Sequence, residues 1–255
     1  MNERRWKHPL RQHILTYITM SVLPLPTPEP RKNSTGSPLP LETGDRLTRV
    51  EFEQRYDAMP QVKKAELVEG IVYMGSPVRH RSHGKPHFIL TTWMGHYLSK
   101  TPGIEPSDNA TMRLDDESEP QPDLLLFWPA AIGGQSKISD DDYIEGPVEL
   151  VAEIASSSVS LDMHAKLQTY RRHGVREYLV WRVRDSAVDW FILRDGHYQP
   201  LKPDSAGILR SEVFPGLWLD PAALMRFDLP RLFQVLDAGT ATAEHADFVA
   251  RLRSI

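Results

Sequence analysis

The stretch PVELVAEIASSSVSLDMHAKLQTYRRHGVREYLVWRV, residues 147–183, predicts the centre of the fold. Its first and last parts are apolar runs typical of strands, and the part between them predicts a turn and then a helix from about Leu161 to His173. Glu153 lies inside the first run, where an unpaired charge costs on the order of several kcal/mol. The sequence therefore predicts a cationic or hydrogen-bonding partner for Glu153, and Asp162 and Lys166 occur in the following helix.

The composition is that of a soluble globular protein and excludes several classes of function. Charged residues make up 25% of the 255 residues, and the net charge of −4 lacks the basic bias of proteins that coat nucleic acid. The chain has no cysteine, which excludes disulfides and thiolate–zinc sites and favours a reducing, cytoplasmic location. No run of about 18 apolar residues occurs, so no membrane-spanning helix is predicted.

The chain divides into three parts by composition. Residues 1–44 include a segment rich in Pro, Ser and Thr and are predicted to be a flexible leader. Residues 45–228 are predicted to form one α/β domain, and residues 229–255 an amphipathic helical tail. Two hairpins are predicted within the domain, one around Glu69 and Gly70 and one at the Asp-Gly pair 195–196.

A helix is predicted near residues 86–98, with Phe88, Trp93 and Tyr97 in the core. Just before and within its start, three histidines are spaced i, i+3 and i+7, namely His80, His83 and His87. That spacing allows a zinc site on one helical face, although a polar helix start is the favoured interpretation. Pro86 disturbs the regular geometry that three histidine ligands would need.

Two carboxylates and one ammonium group are candidates for phosphodiester chemistry. Asp123 stands at the entrance of one predicted strand and Glu153 lies in another; if these strands pair about 4.8 Å apart, both side chains reach one divalent cation. Such hard oxygen ligands suit Mg²⁺ or Mn²⁺. Lys166, one turn after Asp162, is placed to orient an attacking water. The alternative is that Asp123 caps a strand, Glu153 forms a salt bridge and Lys166 is solvated.

The order of several short motifs is similar to that of a known family. The motifs are ELVEG, SPVRH, QPDLLLF, VELVAEIASSS, D-x-x-x-K-x-x-x-Y and HGVREYLVW, and together they span about residues 45–220. This order resembles the Uma2 family of restriction-endonuclease-like proteins, within the PD-(D/E)XK nuclease superfamily. The resemblance implies an α/β fold with a restriction-endonuclease-like mixed central sheet flanked by helices, and with β-hairpin additions. It also implies a divalent metal ion and hydrolysis of DNA phosphodiester bonds.

The resemblance assigns the metal ligands residue by residue. Asp123 matches the aspartate of the family's motif, Glu153 matches the second carboxylate, and Glu66 matches an early acidic residue. Glu69 is a second candidate for that early position. The resemblance thus implies that Glu66, Asp123 and Glu153 hold Mg²⁺ or Mn²⁺.

The catalytic lysine departs from the usual pattern. The superfamily's lysine stands two residues after the glutamate, where this chain has Ala155, and the resemblance implies that Lys166 on the next helix replaces it. Ser157 stands where the family usually has proline in the turn. Further residues are candidates for substrate contact: His80, Arg79, Asp162 and Tyr170. Tyr170 is interpreted as core packing beneath the site, with a hydroxyl able to form a hydrogen bond to Asp162 or to a water.

The expected function is that of a metal-dependent endonuclease acting on DNA, and a homodimer is the assembly considered with it. The alternative is a catalytically weak module of the same fold that binds DNA or a protein partner. A third hypothesis makes the tail, residues 229–255, an oligomerisation element of a structural protein.

Overall fold

A mixed sheet of six strands forms the centre of the computed structural model, which describes residues 36–254. The strands are β1 (Ala65–Val68), β2 (Ile71–Met74), β3 (Glu105–Asp108), β4 (Met112–Arg113), β5 (Leu124–Phe127), β6 (Lys137–Ile138), β7 (Ile144–Glu145), β8 (Leu150–Ala155), β9 (Glu177–Arg182), β10 (Ala187–Arg194), β11 (His197–Pro200), β12 (Leu209–Arg210) and β13 (Trp218–Leu219). The helices are α1 (Arg49–Asp57), α2 (Lys85–Leu98), α3 (Leu167–His173), α4 (Pro221–Met225), α5 (Leu229–Thr240) and α6 (Ala243–Leu252). Two π-helical segments, His80–Gly84 and Leu161–Lys166, lead directly into α2 and α3.

The central sheet has the order β11-β10-β9-β8-β5-β3. Strands β8 and β9 pair in parallel, and the other neighbours pair antiparallel. The helix between β8 and β9 makes the crossover that a parallel pair requires. The predicted mixed sheet flanked by helices is therefore confirmed, as are the hairpins β1–β2 and β10–β11.

Each face of the sheet carries its own apolar cluster, because successive side chains of a strand point to opposite faces. One cluster joins Leu150, Ala152 and Ile154 of β8 to helices α2, α5 and α6. The other joins Val151 of β8 to Tyr170 of α3. Helices thus cover both faces, and β8 is buried along its whole length.

The prediction for α2 is right for two of its three aromatic residues. Trp93 and Tyr97 are fully buried, but Phe88 is 68% exposed. The buried face of the helix is formed by Ile89, Leu90, Trp93, Met94 and Tyr97. Phe88 falls on the opposite side of the helix, and its assignment to the core was wrong because helical rotation separates it from that face.

Both ends of the described chain pack against the fold. Leu41, within the predicted leader, is buried beside Phe52, so the packed chain begins before residue 45. Residues 1–35 of that leader lie outside the described residues. The segment predicted as a helical tail contains α5 and α6, and Leu232 and Phe248 join the cluster of α2. No helix within residues 36–254 combines the length and the apolar character that a bilayer span requires.

A buried carboxylate fixes the strand next to β8. Glu177, at the start of β9, accepts hydrogen bonds from Trp190 Nε1 at 3.2 Å and Ser211 Oγ at 2.8 Å. Its second oxygen accepts the backbone N–H groups of Glu212 at 2.7 Å and Val213 at 3.1 Å. Burial raises the pKa of Glu177 to about 7, while these donors act to lower it. Glu177 therefore ties the segment before β13 to the central sheet.

We expect Glu177→Gln to lower the free energy of unfolding by about 2 kcal/mol. The NH₂ group of glutamine cannot accept the hydrogen bonds that one oxygen of Glu177 accepts, so it would face other donors. Urea denaturation measures the change. The matched control is Glu212→Gln, whose side chain is exposed and pairs with Arg194; it should change stability by less than about 0.5 kcal/mol. Equal stability of the two variants would show that the carboxylate of Glu177 does not hold this junction.

Candidate active site

A cleft of about 500 Å³ opens where β1, β5 and β8 meet the two π-helical segments. The residues that line it include nearly all of the candidates with charged side chains. The members with acidic, basic or imidazole side chains are Lys64, Glu66, Arg79, His83, Asp123, Glu153, Asp162, Lys166 and Arg184. The cleft is therefore the place where the chain concentrates ionisable groups from distant parts of the sequence.

The pairing of β5 with β8 brings Asp123 and Glu153 together. Leu124 pairs antiparallel with Ala152, so the preceding Asp123 stands opposite the following Glu153. Asp123 Oδ2 accepts the backbone N–H of Ile154 at 2.8 Å, and the N–H of Asp123 lies 3.4 Å from Glu153 Oε2. Both side chains are buried. The predicted convergence of two carboxylates from neighbouring strands is thus present.

Lys166 is the cation partner that the burial of Glu153 required. Its Nζ lies 2.6 Å from Glu66 Oε2, 2.9 Å from Glu153 Oε1 and 3.9 Å from Asp162 Oδ1. The residue is only 2% exposed, so it is not the solvated helix residue of the alternative interpretation. The same alternative was right that Glu153 forms a salt bridge. One ammonium group therefore joins three carboxylates from β1, β8 and the π-helical segment Leu161–Lys166.

Burial dominates the electrostatics of these groups. It raises the pKa of Glu153 to about 8 and that of Asp162 to about 6, although Lys166 lowers both. For Lys166, burial alone acts to lower the pKa, but Glu153, Glu66 and Asp162 together outweigh it and raise that pKa well above its ordinary value. Lys166 is thus an ammonium ion at neutral pH. Three carboxylates around one ammonium leave a deficit of positive charge that favours a further proton or cation.

Two hydroxyl groups bind carboxylates of the cleft, that of Ser158 at Asp162 and that of Tyr170 at Glu153. Asp162 lines the cleft and accepts a hydrogen bond from Ser158 Oγ at 2.6 Å. The hydroxyl of Tyr170 donates to Glu153 Oε1 at 3.1 Å and not to Asp162, which corrects that part of the prediction. Tyr170 is fully buried behind Glu153, so it holds the carboxylate without lining the cleft.

The structure separates the two candidates for the early acidic residue. Glu66 of β1 faces the cleft, where the N–H of Gln121 donates to Glu66 Oε2 at 3.3 Å. Glu69 lies in the hairpin turn and accepts hydrogen bonds from Arg172 at 2.9 Å and from Thr169 at 3.3 Å. Geometry thus favours Glu66 over Glu69 for a role in the cleft.

Among the predicted substrate contacts, Arg79 lines the cleft and His80 does not. Arg79 and His80 are both exposed, at the start of the π-helical segment His80–Gly84. The histidine that reaches the cleft is His83, whose Nε2 lies 3.5 Å from Asp123 Oδ1. The contact predicted for His80 stays a prediction.

Sequence reasoning missed Lys64 and Arg184 altogether. Lys64 Nζ lies 3.5 Å from Asp123 Oδ1 and 3.9 Å from Glu66 Oε1. One signal was present, because Lys64 and Glu66 are two residues apart and project to the same side of an extended chain. Arg184 follows β9, far from the other cleft residues in sequence, and no local pattern marks it.

The arrangement of the carboxylates in the cleft limits how a divalent ion could be held. Among residues 36–254, no group of three or more His, Cys, Asp or Glu side chains is arranged to hold a metal ion. The predicted ligands Glu66, Asp123 and Glu153 are therefore not assembled as a three-carboxylate centre, because Lys166 bridges Glu66 and Glu153. The zinc site of three histidines is likewise not formed. Asp123 and Glu153 remain as two carboxylates on neighbouring strands, and Mg²⁺ is commonly held by one or two carboxylates with water completing its shell.

Comparison with known proteins agrees with the resemblance found in the motifs. The model of the Uma2 family, described as "Putative restriction endonuclease", matches residues 50–222. The crystal structure of a protein from Anabaena variabilis, described as a "putative nuclease belonging to DUF820", is similar with a TM-score of 0.48 and 11% sequence identity. That alignment covers 64% of this chain and 90% of the other. No curated protein matches the chain.

We expect Lys166→Met to destabilise the fold by about 3–5 kcal/mol at pH 8, because it leaves buried carboxylates without their cation. The loss should be smaller at pH 5. Without the ammonium, the pKa values of Glu153 and Asp162 rise further above their unfolded values, and stability from such groups is lost as pH rises above the unfolded pKa.

Urea denaturation at both pH values measures this effect. Lys137→Met is the matched control, since Lys137 forms an exposed ion pair with Glu145. The control should change stability by less than about 1 kcal/mol at either pH. A loss in Lys166→Met that is the same at pH 5 and pH 8 would contradict the role of Lys166 as the counterion.

Proposed function

The chain belongs to the Uma2 family, and we propose that it is a divalent-metal-dependent endonuclease that hydrolyses DNA phosphodiester bonds in the cleft described above. One observation carries the proposal: Asp123 and Glu153 lie side by side on paired strands, with the buried ammonium of Lys166 bound to Glu153. Two acidic ligands and a fixed positive charge at one point of a cleft match the requirements of phosphodiester hydrolysis.

Asp123 Oδ1 and Glu153 Oε2 would hold the ion, which is Mg²⁺ or Mn²⁺ by the hardness of its oxygen ligands. When bound, the ion supplies a polarised water and neutralises charge on the phosphate. The second oxygen of each carboxylate is fixed by the protein. Asp123 Oδ2 accepts the N–H of Ile154, while Glu153 Oε1 accepts from Lys166 and Tyr170. These bonds would hold Asp123 Oδ1 and Glu153 Oε2 in place.

Lys166 serves in this proposal as a permanent cation and hydrogen-bond donor. Its raised pKa keeps it protonated at neutral pH, so it does not act as a general base. Its bonds to Glu66 and Glu153 link strand β1 to strand β8. Glu66 Oε1 faces Lys64 and the cleft, where it would accept a hydrogen bond from the attacking water.

Two exposed arginines at the cleft fit the phosphates of a nucleic acid strand. Arg79 and Arg184 both line the cleft, and neither guanidinium group has a hydrogen-bond or ion-pair partner within residues 36–254. Many arginines of the described chain are paired, as are Arg113, Arg182 and Arg231. Unpaired guanidinium groups beside the reaction centre favour contacts to phosphate oxygens, which position the strand without reading its sequence.

The alternative function is a nuclease-fold module that binds DNA or a protein partner without cutting. The bridging of Glu66 and Glu153 by Lys166 favours it, because one oxygen of each carboxylate is already bound to an ammonium group and not available to a metal ion. Binding without cleavage in Mg²⁺ or Mn²⁺ would support this alternative. The homodimer and the cytoplasmic location stay predictions.

We expect Asp123→Asn and Glu66→Gln each to abolish metal-dependent cleavage of DNA, because each removes a carboxylate of the cleft. Cleavage of supercoiled plasmid with Mn²⁺ or Mg²⁺ measures it, and metal affinity by calorimetry should fall in Asp123→Asn. Glu69→Gln is the matched control, since Glu69 lies outside the cleft and should retain full activity.

Two results would overturn this assignment. Undiminished cleavage by Asp123→Asn would show that Asp123 is not a metal ligand. Loss of cleavage in Glu69→Gln, with activity retained in Glu66→Gln, would assign the role of Glu66 to Glu69. Circular dichroism of each variant separates loss of chemistry from loss of folding.

We expect Arg79→Gln and Arg184→Gln to weaken binding of duplex DNA in Ca²⁺ or EDTA, without dependence on base sequence. Each should reduce the slope of log affinity against log salt by about 0.9, the value for one lost phosphate contact. Arg226→Gln is the control, because Arg226 is exposed and does not line the cleft. Equal slopes in all three variants and the unmodified protein would exclude the arginines from the DNA interface.

A further inference from the structure

One face of the β1–β2 hairpin forms a wall of the cleft. Ala65, Leu67 and Val72 lie on the other face of the hairpin, in a buried apolar cluster. Because side chains alternate along a strand, Glu66 and Tyr73 project from the opposite face, and the strand register places them directly across from each other. Both residues line the cleft. Tyr73 is therefore an aromatic neighbour of one of the carboxylates in the cleft.

Tyr73 differs from the other partly exposed tyrosines of residues 36–254. Tyr56 and Tyr198 each contact another aromatic ring, and the ring of Tyr143 lies under the guanidinium group of Arg113. Among the same residues, the side chain of Tyr73 has no hydrogen bond and no ring contact, and it belongs to none of the three buried apolar clusters. Its ring is thus available to a ligand in the cleft.

The cleft has the size of a site for one nucleotide. Its volume of about 500 Å³ is typical of a pocket that holds a small molecule. Asp123 and Glu153 are only 4% and 3% exposed, so a phosphate must enter the cleft to reach them. The sugar and base that are joined to this phosphate enter with it, and a base that stays paired in a duplex cannot do so. Enzymes that act on an enclosed nucleotide take it out of the base stack.

We infer that Tyr73 stacks on an unpaired base of the DNA strand in the cleft, and that the protein prefers DNA with such a base to fully paired DNA. This inference rests on the proposed function, because it names the form of DNA that enters the same cleft. Every base has an aromatic face, so stacking on a tyrosine ring accepts any base. Tyr73 thus selects for the absence of pairing and not for a base sequence.

The other residues of the cleft suit a single strand of nucleic acid. Sites for unpaired strands combine cationic groups that follow the backbone with aromatic side chains that stack on the bases. Lys64, Arg79 and Arg184 line the cleft and supply the cationic groups. Val78 lines it as well, and with 70% of its surface exposed it offers an apolar contact beside the base.

The test compares the binding of two DNA hairpins to the full chain in EDTA, where metal-dependent cleavage does not occur. One hairpin is fully paired, and the other carries a single unpaired thymidine in its stem. Fluorescence anisotropy measures both affinities. We expect the unpaired thymidine to raise the affinity by about tenfold, which lies within the range of one base–aromatic stack.

A crosslink identifies the stacking residue without any substitution. The unpaired thymidine is replaced by 5-iododeoxyuridine, which on irradiation reacts with an aromatic ring that stacks on it. We expect mass spectrometry to find the crosslink at Tyr73.

Three variants separate stacking from other roles of the side chain. Tyr73→Leu should lose about tenfold in affinity for the hairpin with the unpaired base and less than about twofold for the paired hairpin. Tyr73→Phe should bind both hairpins as the unmodified protein does, because it keeps the ring. Tyr143→Leu is the matched control, since Tyr143 is also partly exposed but does not line the cleft. Circular dichroism checks the folding of each variant.

The outcomes separate this inference from the proposed function. Equal affinity for the two hairpins, or a crosslink at a residue other than Tyr73, overturns the role of Tyr73; if binding still weakens in Arg79→Gln, the DNA cleft stands. An equal loss in Tyr73→Phe and Tyr73→Leu overturns stacking as well, because the hydroxyl would then make the contact. If neither hairpin binds, the proposed function and the role of Tyr73 fail together.

Discussion

The burial of the Lys166 ammonium between Glu66 and Glu153 is the interaction on which the cleft depends. Each of these charges alone would be costly inside the protein, and each is tolerated because the others neutralise it. The interaction also joins three separate elements: strand β1, strand β8 and the π-helical segment that leads into α3. A set of charges that must stay together thus fixes the relative positions of the hairpin, the sheet and the crossover helix.

The sheet supplies the rest of the geometry. Because β5 and β8 pair antiparallel, Asp123 and Glu153 meet although thirty residues separate them. Because β8 and β9 pair in parallel, the helix between them crosses one face and carries Lys166 and Tyr170 toward Glu153. The placement of these side chains therefore follows from strand register, and the buried apolar residues on both faces of β8 hold that register.

The fold and the main charged residues could be predicted from the sequence because their signals are local or ordered along the chain. Alternating apolar residues, the turn at 195–196 and the acidic residue inside an apolar strand each predict structure from neighbouring residues alone. Lys64, His83 and Arg184 differ, since their place in the cleft depends on long-range packing. Phe88 shows the same limit, because helical spacing does not reveal which side of α2 meets the sheet. The hydroxyl of Tyr170 likewise donates its hydrogen bond to Glu153 and not to Asp162, although Asp162 is nearer in the sequence.

The central claim is that Asp123 and Glu153 hold a divalent ion at the floor of the cleft. Anomalous diffraction from a crystal of the protein soaked in Mn²⁺ tests it most directly. The account predicts a single strong anomalous peak within about 2.1–2.3 Å of an oxygen of each carboxylate. A cleft without such a peak, with Mn²⁺ bound only at the surface acidic loops around residues 115–119 and 139–142, would contradict it.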